Sequence, residues 1–254
     1  MFVENIDNQL IEGLYLLIIM LDRQEIISYF KKDPVHFANA EYALISGGEV
    51  LYAEEDGLAL RVKKYGIPTV YGLKKESAER ILRLFGKPDI LVCSSEEEAQ
   101  IALAVFPYMK TAKPCYQVRY DGVKEDPLPV GFSVKKLIPD EETVKFVTAT
   151  YSLHYGEAAI REVIGNLGMY GVFSGERIAA YIGRHEEGSV GLLEVMPGFR
   201  RHGLGTYLVK YMAARVIEEG EIAYAQIVSD NEKSLNMHLK MGFVPSEKKV
   251  YWCY

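Results

Sequence analysis

The stretch Leu192-Leu193-Glu194-Val195-Met196-Pro197-Gly198-Phe199-Arg200-Arg201-His202-Gly203-Leu204-Gly205-Thr206 constrains the fold more than any other. An apolar run stops at a proline, a loop with two arginines and two close-set glycines follows, and an amphipathic pattern resumes at Thr206. Strand, short loop and helix in immediate succession call for an α/β architecture, with the helix packed back on its sheet. The loop also has the makings of an anion site. The first N–H groups of a helix have no partner within it, and the helix dipole adds positive character there. Gly203 and Gly205 remove side chains so that phosphate oxygens can reach those amides, while Arg200 and Arg201 add charge. No Gly-Lys-Ser/Thr follows, so this is not a Walker A loop. A dinucleotide fingerprint would need a third glycine and an acid about 20 residues on. Taken alone, the loop also reads as a plain strand-to-helix turn with surface arginines.

Composition narrows the class. The 254 residues are 49% hydrophobic and 25% charged, which is too apolar for disorder. Acidic residues outnumber basic ones, 35 to 29, against a basic nucleic-acid binder. Most of that acidic excess lies in residues 1–130, and residues 131–254 are nearly neutral. Cys93, Cys115 and Cys253 have no CxxC spacing and suit small core hydrophobes in a reducing compartment. His36, His154 and His185 lack ligand spacing, so no metal is expected. The apolar run at residues 13–21 is under half the roughly 20 residues that span a bilayer. Glu4, Asp7 and Glu12 precede it, where a signal peptide would carry positive charge. It reads as a buried helix in a cytoplasmic protein.

Along the chain, short strands alternate with helices. Two strand patterns flank Asp56-Gly57, a hairpin signal. Further strands are expected at 68–73, 88–93 and 115–120, with helices at 75–85 and from Ser95 through 106. Ser95-Glu96-Glu97-Glu98 has the form of a capping box. Two prolines, two glycines and four charges between Asp121 and Gly131 mark a linker. It divides a smaller N-terminal α/β domain (1–125), of unknown role, from a C-terminal domain (131–254). In the latter, strands are expected at 132–138, 169–173, 177–184, 189–196, 222–228 and 248–254. Helices are expected at 140–151, 157–166, 206–219 and 231–240. The strands form a mixed sheet with flanking helices. No internal repeat is visible.

A second motif follows the strand at 222–228: Ser229-Asp230-Asn231-Glu232-Lys233-Ser234 opens a helix that closes in Met241-Gly242-Phe243. With Val-x-Pro and Arg-x-x-Gly-x-Gly upstream, residues 131–254 resemble the GNAT superfamily of N-acyltransferases, the glycine N-acyltransferase-like branch being the nearest flavour. The resemblance implies acetyl-CoA, or another acyl-CoA, as co-substrate. The pantetheine arm would lie between two splayed strands, pairing with backbone at Glu194 to Met196. The pyrophosphate would rest on the amides of Arg201, His202, Gly203, Leu204, Gly205 and Thr206, with Arg200 beside it. Asn231 would bond the arm, and a strand N–H near Val195 would polarise the thioester carbonyl.

The family's tyrosine acid, four residues before the closing glycine, is replaced here by His238. An imidazole could protonate the leaving sulfur, or it could be a packed or capping histidine. Glu194 is the base candidate beside the thioester strand, or a solvated strand glutamate. Glu186 and Glu187 read as turn charges, and Tyr251-Trp252-Cys253-Tyr254 as an edge or core strand. The expected activity is an acyl-CoA-dependent N-acetyltransferase acting on a small amine or amino-acid-like acceptor. Neither nucleic acid nor membrane is expected as a partner, and a homodimer stays open. The alternatives are a catalytically weak GNAT-fold module that binds or senses CoA, and a loop for another phosphate ligand. The N-terminal domain could be a degenerate half of the same fold or an unrelated α/β domain.

Overall fold

In the computed structural model of the chain, the described residues are 22–62, 65–122, 126–151 and 155–254. The expected helix at 13–21, His154 and linker residues 123–125 lie outside them. The N-terminal elements are α1 (Arg23–Phe30), α2 (Ala38–Ile45), β1 (Glu49–Glu54), β2 (Gly57–Arg61), β3 (Pro68–Tyr71), α3 (Lys75–Arg83), β4 (Leu91–Cys93), α4 (Glu96–Val105) and β5 (Ala112–Arg119). After the linker come β6 (Ser133–Lys136), α5 (Glu141–Thr150), α6 (Glu157–Asn166), β7 (Tyr170–Ser174), β8 (Arg177–Arg184) and β9 (Val190–Val195). A 3₁₀ turn (Pro197–Phe199), α7 (Leu204–Glu218), β10 (Tyr224–Val228), α8 (Glu232–Lys240) and β11 (Val244–Cys253) complete the chain. Among the described residues, no helix is long and apolar enough to cross a membrane.

Local chemistry explains most boundaries. Asp140 caps α5, accepting the Thr143 N–H at 2.8 Å, and α3 buries Ala78, Ile81 and Leu82 on one face. Ser95 caps α4 through the Glu98 N–H, but the expected capping box is not completed. The Glu98 carboxylate turns inward instead, accepting the Ser94 N–H and hydroxyl, each at 2.7 Å, and the Leu73 N–H at 2.9 Å. A buried carboxylate so supplied with donors ties the end of β3 to the end of β4.

The strands form a seven-stranded mixed sheet, in the order β1-β2-β3-β4-β11-β5-β10, and a four-stranded antiparallel sheet, β6-β7-β8-β9. Chain segments on either side of the linker share the larger sheet. β5 lies between β10 and β11, and β11 lies between β4 and β5. The succession β-β-β-α-β-α-β occurs twice, as β1 to β5 and as β7 to β11, and the last strand of each set is placed beside a strand of the other. The two sets differ at one point. β3 and β4 pair in parallel through Thr69–Val92 and Val70–Cys93, whereas β9 and β10 are edge strands of different sheets.

Helix α7 spans that break. Its Leu208, Val209, Met212, Ala213 and Val216 share one core with Val172, Ala180 and Ile182 of the small sheet and Ala225 and Ile227 of β10. On the opposite face of the small sheet, Val144, Val147, Ile160, Val163 and Ile164 of α5 and α6 pack on Tyr181 and Leu192. The cysteines are free and buried. Under α2, a file of amides crosses the large sheet. Trp252 Nε1 donates to Gln226 Oε1 at 2.7 Å, Gln226 Nε2 to Gln117 Oε1 at 2.8 Å, and Gln117 Nε2 to the Val35 and His36 carbonyls.

Candidate active site

The site is built around β9. Val190 belongs to the α7-side core, yet Leu192, two residues on, belongs to the α5/α6-side core. Regular alternation forbids that. An extra residue explains it: Tyr181 pairs with Glu194 and Gly183 with Gly191, so Ile182 of β8 stands against both Leu192 and Leu193 of β9. Leu192 absorbs the bulge with φ +51°. Past it, Leu193 and Val195 face α7, whereas Met196 packs on the α5/α6 side. Glu194 falls on that second face with Tyr181, whose phenol is pushed up to about 12 by burial first and also by the nearby Glu194 carboxylate.

The bulge and ladder also aim backbone groups. The Met196 N–H bonds the Ala179 carbonyl at 3.0 Å, so Val195, opposite Ala180, occupies a non-hydrogen-bonded position of the β8–β9 ladder. Its N–H and C=O therefore point away from β8, toward the side on which β10 stands unbonded. Arg200 Nε reaches the Val195 carbonyl at 3.2 Å, and an Arg200 amino group lies 3.6 Å from Glu194.

Beyond β9 the loop is held by its own side chains. His202 Nδ1 lies 3.2 Å from the Phe199 carbonyl and 3.0 Å from that of Arg200. Both are acceptors, so this nitrogen carries the proton. Arg201 adopts φ +71° and Gly203 φ +78°. Gly203 is the N-cap of α7, with no side chain capping the helix and no acid in its first turn. The first helical bond runs from Tyr207 N–H to the Gly203 carbonyl, which leaves the amides of Leu204, Gly205 and Thr206 without intrahelical acceptors. Leu192 and Arg201, the non-glycine residues with left-handed backbone among the described residues, both lie in this segment.

Opposite, Asn231 caps α8, its Oδ1 accepting the Ser234 N–H at 3.1 Å; its NH₂ group is left as the donor. His238 is buried. Its Nδ1 donates to the Ser234 carbonyl at 2.8 Å, and its ring stands edge-on to Phe243 at 4.9 Å. Burial lowers its pKa below the ordinary 6.5, against the opposing effect of the Ser234 carbonyl.

Comparison with known proteins bears on the fold. Residues 166–253 match the family model described as FR47-like protein. A Drosophila protein of known structure superposes with a TM-score of 0.63 at 14% identity, over 78% of this chain and 73% of that one. A GCN5-related N-acetyltransferase from Kribbella flavida gives 0.55 at 12% identity, over 87% and 93%. A GCN5-related N-acetyltransferase-like protein from Streptococcus suis gives 0.51 at 12% identity, over 81% and 87%. No curated protein matches the chain. The fold is the GNAT fold.

On the GNAT frame, the expected residues divide by position. Val195, Met196, Arg200, Arg201, His202, Gly203, Leu204, Gly205 and Thr206 form one continuous lip along β9 and the start of α7. Asn231 follows β10, on the other side of the break between the sheets. Glu194 stands on the α5/α6 face, in contact with Arg200. His238 is held as a neutral, packed imidazole with its Nδ1 proton committed to the helix backbone. Residue patterns alone miss the bulge at Leu192. Its signal is a single break in β-alternation, and two adjacent leucines leave that break invisible.

Proposed function

We propose that the chain is an acyl-CoA-dependent N-acyltransferase, with a small amine or amino-acid-like molecule as acceptor. The observation that carries this reading is the conjunction at β9. An amide and a carbonyl at Val195 face an unbonded neighbouring strand, one loop away from a helix N-terminus capped by a left-handed glycine. An extended chain bearing amides pairs with the first, as an added strand would. A pyrophosphate suits the second, where Arg201 and the free amides supply donors. These two features lie in the order that the arm and phosphates of an acyl-CoA require. An N–H on this edge of β9 polarises the thioester carbonyl as the amine attacks.

The leaving thiol needs no dedicated acid, since a thiol of pKa about 8.5 departs as thiolate near neutral pH. The position of His238 fits that economy, because its proton on Nδ1 faces the Ser234 carbonyl. An acetyl-CoA assay over a broad amine panel, read as free thiol, tests the proposal. Turnover with at least one primary amine is expected. No turnover on the panel, together with no acetyl-CoA binding, overturns it. The neutral, packed His238 also favours a second reading, a GNAT-fold module that binds CoA without chemistry. Binding without turnover on any amine would select that reading.

A further inference from the structure

The turn between β8 and β9 places a further imidazole over β9. His185 follows β8, its N–H bonded to the Ser189 carbonyl at 2.9 Å, and its ring folds back over β9 at Gly191. A Cβ built on Gly191 would lie 2.2 Å from His185 Nε2 and 2.3 Å from its Cδ2. Gly191 has no left-handed backbone to explain it, so the close approach of the ring is what requires a glycine inside a strand. The other end of the imidazole is fixed too, since Nδ1 lies 3.2 Å from Tyr155 Oη. Tyr155 precedes α6, which places His185 on the α5/α6 face of β9, the face that carries Glu194. Gly191 sits directly before the bulge at Leu192. Both His185 and Gly191 are half-buried, so the ring stays within reach of solvent.

Resting on the acyltransferase reading above, we infer that His185 is the base that takes the proton of the acceptor amine, with Tyr155 and Gly191 as its positioning residues. Nδ1–H donates to the Tyr155 oxygen, which leaves the lone pair on Nε2, against Gly191 just before the bulge, on the α5/α6 face of β9. The amine nitrogen forms the C–N bond to the acyl carbon, and the C–S bond breaks. The ammonium proton passes to Nε2 and then to solvent, while the thiolate takes a proton from water. Tyr155 keeps its phenolic proton, because burial first and then the Glu187 and Glu186 carboxylates push it up to about 12. Glu194 is less suited, since its carboxylate faces the Arg200 guanidinium. Among the described residues, Tyr155 lies against His185 Nδ1, and the Glu186 carboxylate of its own turn interacts with the imidazole and in turn with Glu187 and with Glu162 on α6.

The test is the pH dependence of kcat/KM for acetyl-CoA with the best amine of the panel. It compares the wild type with His185→Gln, Gly191→Ala and Glu194→Gln, and measures acetyl-CoA affinity in parallel. The wild type should lose activity on acidification through the ionisation of a single base. His185→Gln should lose that ionisation and about 10²–10⁴-fold of kcat/KM, with acetyl-CoA affinity held within about threefold, a change of about 0.65 kcal/mol by RT ln 3. Gly191→Ala should lower kcat by displacing the ring while binding persists. Glu194→Gln should keep that ionisation. If His185→Gln keeps the wild-type profile and rate, or if Glu194→Gln removes the ionisation, the assignment to His185 is overturned while the acyltransferase reading stands. A wild type inert on every amine and unable to bind acetyl-CoA overturns that reading instead.

Discussion

Arg201 and Gly203 both hold left-handed backbone in the loop after β9, and they do so at different cost. Glycine adopts that region freely, whereas an L side chain is disfavoured there by about 1–2 kcal/mol. Arg201→Gly should therefore stabilise the free protein by about 1 kcal/mol, read as a higher urea midpoint with unchanged slope. It should also weaken acetyl-CoA binding through loss of the guanidinium. A lower midpoint would show that the arginine is held there by contacts worth more than the strain. His238 invites a pH experiment. Its folded pKa lies below 6.5 because of burial, so its contribution to stability is complete above the unfolded pKa and is lost as pH falls through the folded one. The fall in urea midpoint between pH 7.5 and 5.5 should shrink in His238→Gln. An equal fall in both proteins would rule His238 out as a source of acid sensitivity. At this scale, residue chemistry was legible where it is local. Two glycines and two arginines between an apolar run and a helix announce themselves. The side on which Glu194 stands was not legible, because a one-residue bulge decides it. The approach of His185 to Gly191 was hidden for a similar reason, since it joins a turn to the face of its own hairpin.

Among the elements, helices with clear caps were readable close to their ends, as with Asp140 before α5 and Asn231 before α8. Strand existence was readable as well, but strand neighbours were not. β5 carries the same alternation wherever it pairs, and nothing in it announces a place between β10 and β11. β11 begins at Val244, four residues before the expected start, because its first part pairs with β5 at Arg119 and Val118 across an irregular stretch. Ser95 caps the helix start, but the box does not close, because Ser94 and the Leu73 N–H just past β3 engage the Glu98 carboxylate. The exchange of last strands is locked by the amide file. Gln226→Leu would strand the Trp252 N–H and the Gln117 carbonyl oxygen. A loss of about 1–3 kcal/mol per orphaned group is expected in urea unfolding. A loss below about 0.5 kcal/mol would mean that the file contributes little to joining the strands.

For the molecule as a whole, the linker is a boundary in the chain while the larger sheet runs across it. Residues 131–254 hold the FR47-like match and the loop between β9 and α7, yet among the described residues β10 pairs only with β5, and β11 pairs with β4 and β5. A fragment of residues 131–254 should therefore lack a cooperative thermal transition and regain one when mixed with residues 1–130. A fragment as stable as the full chain would contradict this. The same order of elements recurs in the two sets, but their middle strands differ. In the first set, parallel pairing of β3 with β4 and the inward Glu98 close the position that stays open between β9 and β10. The central claim, that an acyl-CoA lies along β9 with its phosphates on the start of α7, is tested most directly by thermal unfolding with acetyl-CoA. At a hundredfold excess over Kd, binding should add about 2.7 kcal/mol to the wild type, a rise in Tm of several degrees. In Gly203→Val, at φ +78° and beside the amides proposed to hold the phosphates, the rise should vanish while the ligand-free protein stays folded. A folded Gly203→Val protein that shows the full wild-type rise would place the acyl-CoA elsewhere and contradict the account.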